Sequence, residues 1–183
     1  ALTNNVFEII ICPPSPFILY LKKHLEGMPG VSVGSQTVST KEQGKFTGEV
    51  TAEALSGVVD YSIIGHSERR SHFQESEEII KKQIDLAQKN GIKQILCVRN
   101  PQDQIYEGVS MLAYEPVAAI GTGANAAVQD VLDMKNQLSL PSNVSFLYGG
   151  SADSENMTEY LNTNEVDGFL VGTASLQADS FYA

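Results

Sequence analysis

The sequence predicts an α/β protein in which parallel β-strands alternate with α-helices. Seven short segments are apolar along their whole length, as expected of strands that are buried on both faces of a parallel sheet. Segments with helical periodicity separate most of these runs. A doubly wound sheet and a (β/α)8 barrel both fit this alternation. The number of units favours the barrel, because open sheets commonly have fewer strands.

The first half of the chain supplies three predicted strands and the helices between them. The run 7–14 is β-rich and ends at two prolines. In the helix that follows, Ser15 is the predicted N-cap and Pro16 stands at the first helical position. The clearest helix is 76–91, because its apolar residues share one face and Asn-Gly ends it. The other predicted elements here are strands at 31–36 and 61–66 and short helices at 51–58 and from Ser67.

The second half continues the alternation, with one irregularity. Between Val98 and Val109 there is no room for a helix. A parallel crossover usually takes a dozen or more residues, so this connection must be extended and minimal. The predicted elements are strands at 92–98, 109–116, 144–150 and 166–172, helices at 124–138 and 153–162, and the start of another helix at 176–183.

Composition and charge argue against several classes of partner. Twelve basic and 22 acidic residues give a net charge of −10, whereas nucleic acid or an anionic membrane requires a basic face. No apolar run approaches the roughly 20 residues of a membrane span, and no signal peptide is evident. Cys12 and Cys97 lie in apolar runs without metal-ligand spacing, which is typical of buried thiols in a reducing compartment. We therefore predict a soluble, cytoplasmic protein with a single domain over residues 1–183.

Two candidate functional residues lie at predicted strand ends, where the chemistry of parallel barrels is found. His66 ends the third strand, and the helix predicted from Ser67 places its ring near a positive dipole end, which lowers the pKa. Glu115 ends an apolar strand and is too far from the next predicted helix to cap it. A carboxylate there, covered by a loop that excludes water, suits a general base. Taken singly, each residue is more often structural than catalytic.

Two glycine-rich turns follow the last two predicted strands. GGS at 149–151 and GTAS at 172–175 can present backbone N–H groups close to an anion. The loops after the last strands of a (β/α) barrel are the usual location of its phosphate site. Either turn alone would more often be an ordinary tight turn, but together they indicate phosphate binding.

Six segments along the chain match the motifs of one protein family, in that family's order: CPP at 12–14, GKFTGEV at 44–50, GHSERR at 65–70, AYEPVAAIGTG at 113–123, LYGGS at 147–151 and DGFLVGTASL at 167–176. Together they resemble the triosephosphate isomerase family. The resemblance implies a TIM barrel that interconverts dihydroxyacetone phosphate and glyceraldehyde 3-phosphate through an enediolate. It also implies no metal or organic cofactor, and a homodimer in which Thr47 belongs to a loop inserted beside the partner's site.

The resemblance also implies roles for individual residues. Glu115 would move the proton between the two substrate carbons, and neutral His66 would polarise the carbonyl group and protonate the enediolate oxygens. Ser67 and Glu68 would support this pair. The implied phosphate ligands, acting through backbone N–H groups, are Gly121, Ser151, Gly172 and Thr173.

Some positions depart from the family pattern. Nothing matches the family's catalytic lysine in an Asn-x-Lys pattern, and we expect that strand and its lysine to precede Ala1. Without the lysine, a non-catalytic phosphate-binding or interaction barrel stays open as an alternative. Thr173 replaces a glycine and requires a φ that suits a β-branched residue. Ala118 replaces the usual lid tryptophan, and the helix after the strand 92–98 is missing.

A third reading, another phosphate-sugar barrel enzyme such as an epimerase, requires metal ligands on several strand ends. Three histidines in the whole chain do not supply them.

Overall fold

The computed structural model describes residues 7–116, 125–153 and 156–178. The chain divides into two compact units, one made of Ala1–Ile64 and Glu78–Ile95 and the other of Gly65–Glu77 and Leu96–Ala183. A single domain over the whole chain stays a prediction.

The first unit contains three parallel strands, β1 (Ile9–Ile11), β2 (Val31–Ser35) and β3 (Tyr61–Ile64). β2 pairs with both of its neighbours, and a Cβ at Gly34 would lie 2.6 Å from the Cys12 sulfur. A glycine is therefore required where these strands approach. The helices are α1 (Ile18–His24), α2 (Ala52–Leu55) and α4 (Glu77–Lys89). The first residue of α4, Glu77, belongs to the second unit.

The predicted face of α4 is confirmed. Ile80, Ile84 and Ala87 are 0%, 1% and 0% exposed, as residues spaced three and four apart should be when one helix face is buried. The short helix predicted at 51–58 is also confirmed as α2. There the Thr51 hydroxyl caps the helix by accepting a hydrogen bond from Ala54 N at 3.2 Å.

Two predictions for the start of the chain are wrong. Ser15 is not an N-cap: Ser15–Phe17 form a 3₁₀ turn, because Pro14 O accepts Phe17 N at 2.9 Å, and α1 begins only at Ile18. Strand β1 is also not buried on both faces. Ile9 is 47% exposed, and among the described residues of this unit β1 pairs with β2 alone.

The second unit contains the end of β4 (Lys93–Val98) and strands β5 (Met111–Tyr114), β6 (Ser145–Tyr148) and β7 (Gly168–Phe169). β5, β6 and β7 pair in parallel, and Glu115 N donates to Val98 O at 2.8 Å. β7 has two residues, fewer than the predicted run. The helices are α3 (Ser67–His72), α5 (Val128–Leu138) and α6 (Met157–Leu161).

The connection between β4 and β5 contains turns and no helix, as predicted. Helix α5 begins at Val128, later than its predicted start at 124, a residue that lies outside the described part of the chain. Of the helix predicted at 176–183, residues 179–183 also lie outside it.

Candidate active site

The structure brings His66 and Glu115 into direct contact. His66 follows β3 and Glu115 follows β5, and the His66 Nε2 atom lies 2.8 Å from Glu115 Oε1. The Glu115 side chain is 1% exposed and that of His66 28% exposed. A buried carboxylate therefore shares a hydrogen bond with an imidazole ring that is partly exposed to solvent.

The start of α3 holds the Glu115 carboxylate. Ser67 N donates to Glu115 Oε2 at 2.8 Å, and Ser67 Oγ donates to Glu115 Oε1 at 3.2 Å. With His66, both carboxylate oxygens have donors, as a buried carboxylate requires. These two hydrogen bonds from Ser67 agree with the supporting role that the family resemblance implies for it.

The other ring nitrogen of His66 caps α3. Its Nδ1 accepts a hydrogen bond from Glu68 N at 3.3 Å. A nitrogen that accepts a backbone N–H carries no proton, so this contact fits the tautomer that bears its hydrogen on Nε2. The Nε2–H group then donates to Glu115. The Glu68 carboxylate is exposed and lies 3.8 Å from His66 Nδ1.

We expected the helix N-terminus to lower the pKa of His66, and this prediction is wrong. Burial lowers the pKa of His66, but the hydrogen bond to Glu115 and its negative charge outweigh burial and raise it above the ordinary value. The charge of Glu68 acts in the same direction and that of Arg69 in the opposite one. The sequence does not reveal the contact between His66 and Glu115, and that contact makes the largest contribution that raises the pKa of His66.

The first glycine-rich turn lies close to Glu115. A Cβ at Gly149 would lie 3.2 Å from Glu115 Cγ and 3.1 Å from Tyr114 O, and a Cβ at Gly150 would overlap the Tyr148 hydroxyl. Both positions therefore lack space for a side chain. The Ser151 carbonyl accepts a hydrogen bond from the Asn156 side-chain amide at 3.2 Å, which fixes the end of the turn.

The second turn begins at Gly172, which precedes the 3₁₀ turn Thr173–Leu176. Ser175 N and Ser175 Oγ both donate to Gly172 O, at 2.9 and 2.7 Å. Thr173 is not among the residues with positive φ, so its β-branched side chain is accommodated. Gly121, the remaining predicted phosphate ligand, lies outside the described residues.

The described residues, 7–116, 125–153 and 156–178, contain neither a metal-binding cluster nor a membrane-spanning helix. No group of three or more His, Cys, Asp or Glu in these ranges could hold a metal ion. No helix there is long and apolar enough to cross a membrane.

The sequence reasoning missed one buried charge beside the site. Arg70 follows the exposed Glu68 and the half-buried Arg69 in a run that reads as a solvated surface, yet its side chain is 4% exposed. The helical spacing could have revealed this burial, because Arg70 lies four residues after His66, the N-cap of α3, and residues so spaced lie on the same side of a helix.

These features define an α/β protein with an acid–base pair at its strand ends, an arrangement suited to enzymatic proton transfer. A family model described as triosephosphate isomerase matches residues 1–183. The triosephosphate isomerase of Aquifex aeolicus is 37% identical, over 95% of this chain and 83% of the relative. That of Alkaliphilus metalliredigens is 36% identical, over 95% and 84%. The chain therefore belongs to the triosephosphate isomerase family and is an isomerase.

A solved structure gives the fold. The crystal structure of triosephosphate isomerase from Bartonella henselae matches with a TM-score of 0.83 and 27% identity, over 97% of this chain and 84% of that one. The prediction of an α/β TIM barrel is thereby confirmed. The alignment with the Aquifex relative has 207 positions, more than the 183 residues of this chain. The relative therefore contains residues that this chain lacks within the aligned region, in agreement with a shortened form.

Proposed function

We propose that this chain interconverts dihydroxyacetone phosphate and D-glyceraldehyde 3-phosphate, with Glu115 as the base and His66 as the acid. The contact between His66 Nε2 and Glu115 Oε1 at 2.8 Å carries the proposal. It joins a buried carboxylate, which can take a proton from carbon, to a ring N–H that can donate to a carbonyl oxygen. Family membership supplies the reaction in which this pair would act.

The proton balance is simple. Glu115 removes a proton from the carbon next to the carbonyl group, and the carbonyl oxygen gains negative charge as an enediolate forms. The His66 Nε2–H group donates a hydrogen bond to that oxygen, stabilises the charge and then gives its proton to it. The ring takes the hydroxyl proton from the neighbouring oxygen and is neutral again. Glu115 then returns the carbon proton to the former carbonyl carbon, and the neighbouring carbon becomes the new carbonyl group. The proton and the electron pair both stay within the enzyme and substrate, so this balance requires no oxidant or reductant.

Substrate binding must first separate the pair. In the structure, Nε2–H donates to Glu115 instead of to a substrate oxygen. When a neutral carbonyl oxygen replaces the carboxylate, the main contribution that raises the pKa of His66 is lost. The pKa of the ring should therefore fall on binding, which favours the neutral imidazole as hydrogen-bond donor.

The substrate phosphate would bind at the two glycine-rich turns and at Gly121. The turn that ends at Ser151 passes close to Glu115, since a Cβ at Gly149 would lie 3.2 Å from Glu115 Cγ, so a phosphate bound at this turn would lie near the base. Gly172 and Thr173 lie at the start of an exposed 3₁₀ turn, where backbone amides are accessible to an anion.

We also propose a homodimer in the cytoplasm. The loop that contains Thr47 is exposed, and Phe46 is 43% exposed at its tip. The loop is ordered by hydrogen bonds from Ser39 N to Val50 O and from Glu49 N to Phe46 O. An ordered, exposed loop with an apolar side chain at its tip is suited to a protein interface. Two free cysteines agree with a reducing compartment.

The test compares Glu115→Gln with the parent chain in the conversion of D-glyceraldehyde 3-phosphate to dihydroxyacetone phosphate. Glutamine keeps the size of the side chain and removes the base. Glu26→Gln, at an exposed position on the surface, is the matched control. We expect turnover to fall by about 10³-fold or more in Glu115→Gln alone. An inactive parent, or a Glu115→Gln variant as fast as the parent, would refute the proposal.

A further inference from the structure

Arg70 in α3 fixes the backbone that carries His66. Its Nε donates to Gly65 O at 2.7 Å, and its Nη2 donates to Cys97 O at 3.3 Å. Its Nη1 donates to Glu77 Oε1. Gly65 directly precedes His66, so this guanidinium determines where the imidazole begins. Because the Arg70 side chain is 4% exposed, its charge requires acidic partners held in place.

The connector, residues 99–108 between β4 and β5, supplies those partners. Asp103, whose side chain is 5% exposed, has its Oδ1 atom 4.0 Å from Arg70 Nη1. The Tyr106 hydroxyl lies 2.8 Å from Glu77 Oε2, to which it donates, and 3.0 Å from Glu77 O. The connector thus reaches Arg70 directly through Asp103 and indirectly through Glu77.

Asp103 also fixes the strand end next to Glu115. It accepts hydrogen bonds from Arg99 N at 2.7 Å, from Arg99 Nε at 2.9 Å and from Arg99 Nη2 at 2.7 Å. Arg99 follows Val98, whose carbonyl accepts Glu115 N at 2.8 Å. The buried Asp103 carboxylate therefore lies beside Arg70, which supports His66, and binds Arg99, which follows the strand end that supports Glu115.

The charge state of Asp103 agrees with this arrangement. Burial raises the pKa of Asp103, but hydrogen bonds from Arg99 and the charges of Arg70 and Arg99 outweigh it, so the pKa lies below the ordinary value. The carboxylate is ionised at neutral pH and can bind both guanidinium groups.

We propose that Asp103 and Tyr106 are positioning residues that hold the His66–Glu115 pair through Arg70 and Arg99. The connector is then a functional part of the site, although its own side chains touch no reacting atom. A displacement of about 1 Å at a catalytic group can cost as much as about 10²-fold in rate, so small shifts of Gly65 or Val98 matter. The inference rests on the proposed isomerase activity.

The test uses the whole chain with Asp103→Asn and Tyr106→Phe. Asparagine keeps the shape and removes the charge, and phenylalanine removes one hydroxyl. The matched controls are Asp85→Asn, in an exposed pair with Lys81 at 2.6 Å, and Tyr20→Phe, at a position 61% exposed. We would measure kcat, KM, and the titration of the His66 ring by NMR.

We expect kcat to fall about tenfold in Asp103→Asn while KM changes less than about twofold, because alignment and not substrate affinity is lost. The pKa of His66 should move toward the ordinary value of about 6.5 as its contact with Glu115 loosens. Glu68 and Arg69, the other charged groups that face the ring, are unchanged in this variant. A smaller change in the same direction is expected for Tyr106→Phe, and none for the controls.

The inference is wrong if folded Asp103→Asn keeps the kcat and ring titration of the parent, or if Asp85→Asn loses as much. If Asp103→Asn does not fold, Tyr106→Phe decides, and an unchanged ring titration there overturns the inference. The ring titration needs no turnover. An inactive parent would therefore refute the proposed function while the positioning of His66 is still tested.

Discussion

Replacing Glu115 with aspartate tests the geometry of the base most directly. The substitution keeps the charge and shortens the side chain by one C–C bond of about 1.5 Å. The contact of 2.8 Å with His66 Nε2 and that of 2.8 Å with Ser67 N would both stretch beyond hydrogen-bond length. The shortened side chain would also lose packing against the glycine-rich turn, where a Cβ at Gly149 would lie 3.2 Å from Glu115 Cγ.

The magnitude follows from that displacement. A misplacement of about 1 Å or more can cost about 10²-fold in rate, which corresponds to about 2.7 kcal/mol of transition-state stabilisation. Buried donors at Ser67 and His66 would lose their acceptor, at a cost of about 1–3 kcal/mol in unfolding free energy. For a chain of this length that lowers the melting temperature by about 2–12 °C.

The assay measures kcat and KM for D-glyceraldehyde 3-phosphate, together with thermal unfolding. Glu26→Asp, at an exposed site, is the control and should match the parent in both. The reasoning is refuted if Glu115→Asp retains kcat within about threefold of the parent, because a base that tolerates such a displacement does not depend on the geometry described.

Three further predictions concern packing and protonation. Gly150→Ala should lower the unfolding free energy by about 1–3 kcal/mol in urea titrations, because its Cβ would overlap the Tyr148 hydroxyl; parent-like stability would mean that the turn can shift. Ile84→Ala should cost about 2–5 kcal/mol, far more than Ile9→Ala at a position 47% exposed, and equal losses would contradict the burial. Because the folded pKa of His66 is raised, its charged form stabilises the fold below the unfolded pKa, and this is lost as pH rises through the folded pKa. His66→Asn should therefore destabilise more at about pH 5 than at about pH 8, and the opposite order would refute the sign.

Elements with strong local patterns could be predicted from the sequence. Helix α4 is an example, since the spacing of Ile80, Ile84 and Ala87 determines a buried face without reference to any other segment. The absence of a helix between Val98 and Val109 was equally predictable, because chain length alone excludes one. In both cases the information is local.

Features that depend on distant partners could not be predicted. The raised pKa of His66 arises from Glu115, which is far away in sequence, and the burial of Arg70 arises from Glu77 and from Asp103 in the connector. A charge run such as Glu68–Arg70 reads as surface unless its partners are known. The exposure of Ile9 likewise reflects which strands pair with β1, and an apolar pattern alone does not encode that.

The connector has a consequence for protein engineering. Surface connections usually accept inserted peptides at small cost, because loop-closure entropy grows slowly with length. Residues 99–108 would be an exception. Asp103 is anchored to Arg99 and Tyr106 to Glu77, and an inserted peptide would pull these contacts apart. The turn at Gly57 is the better place for a tag or reporter domain. It is exposed, and a Cβ there would meet no atom within 4 Å.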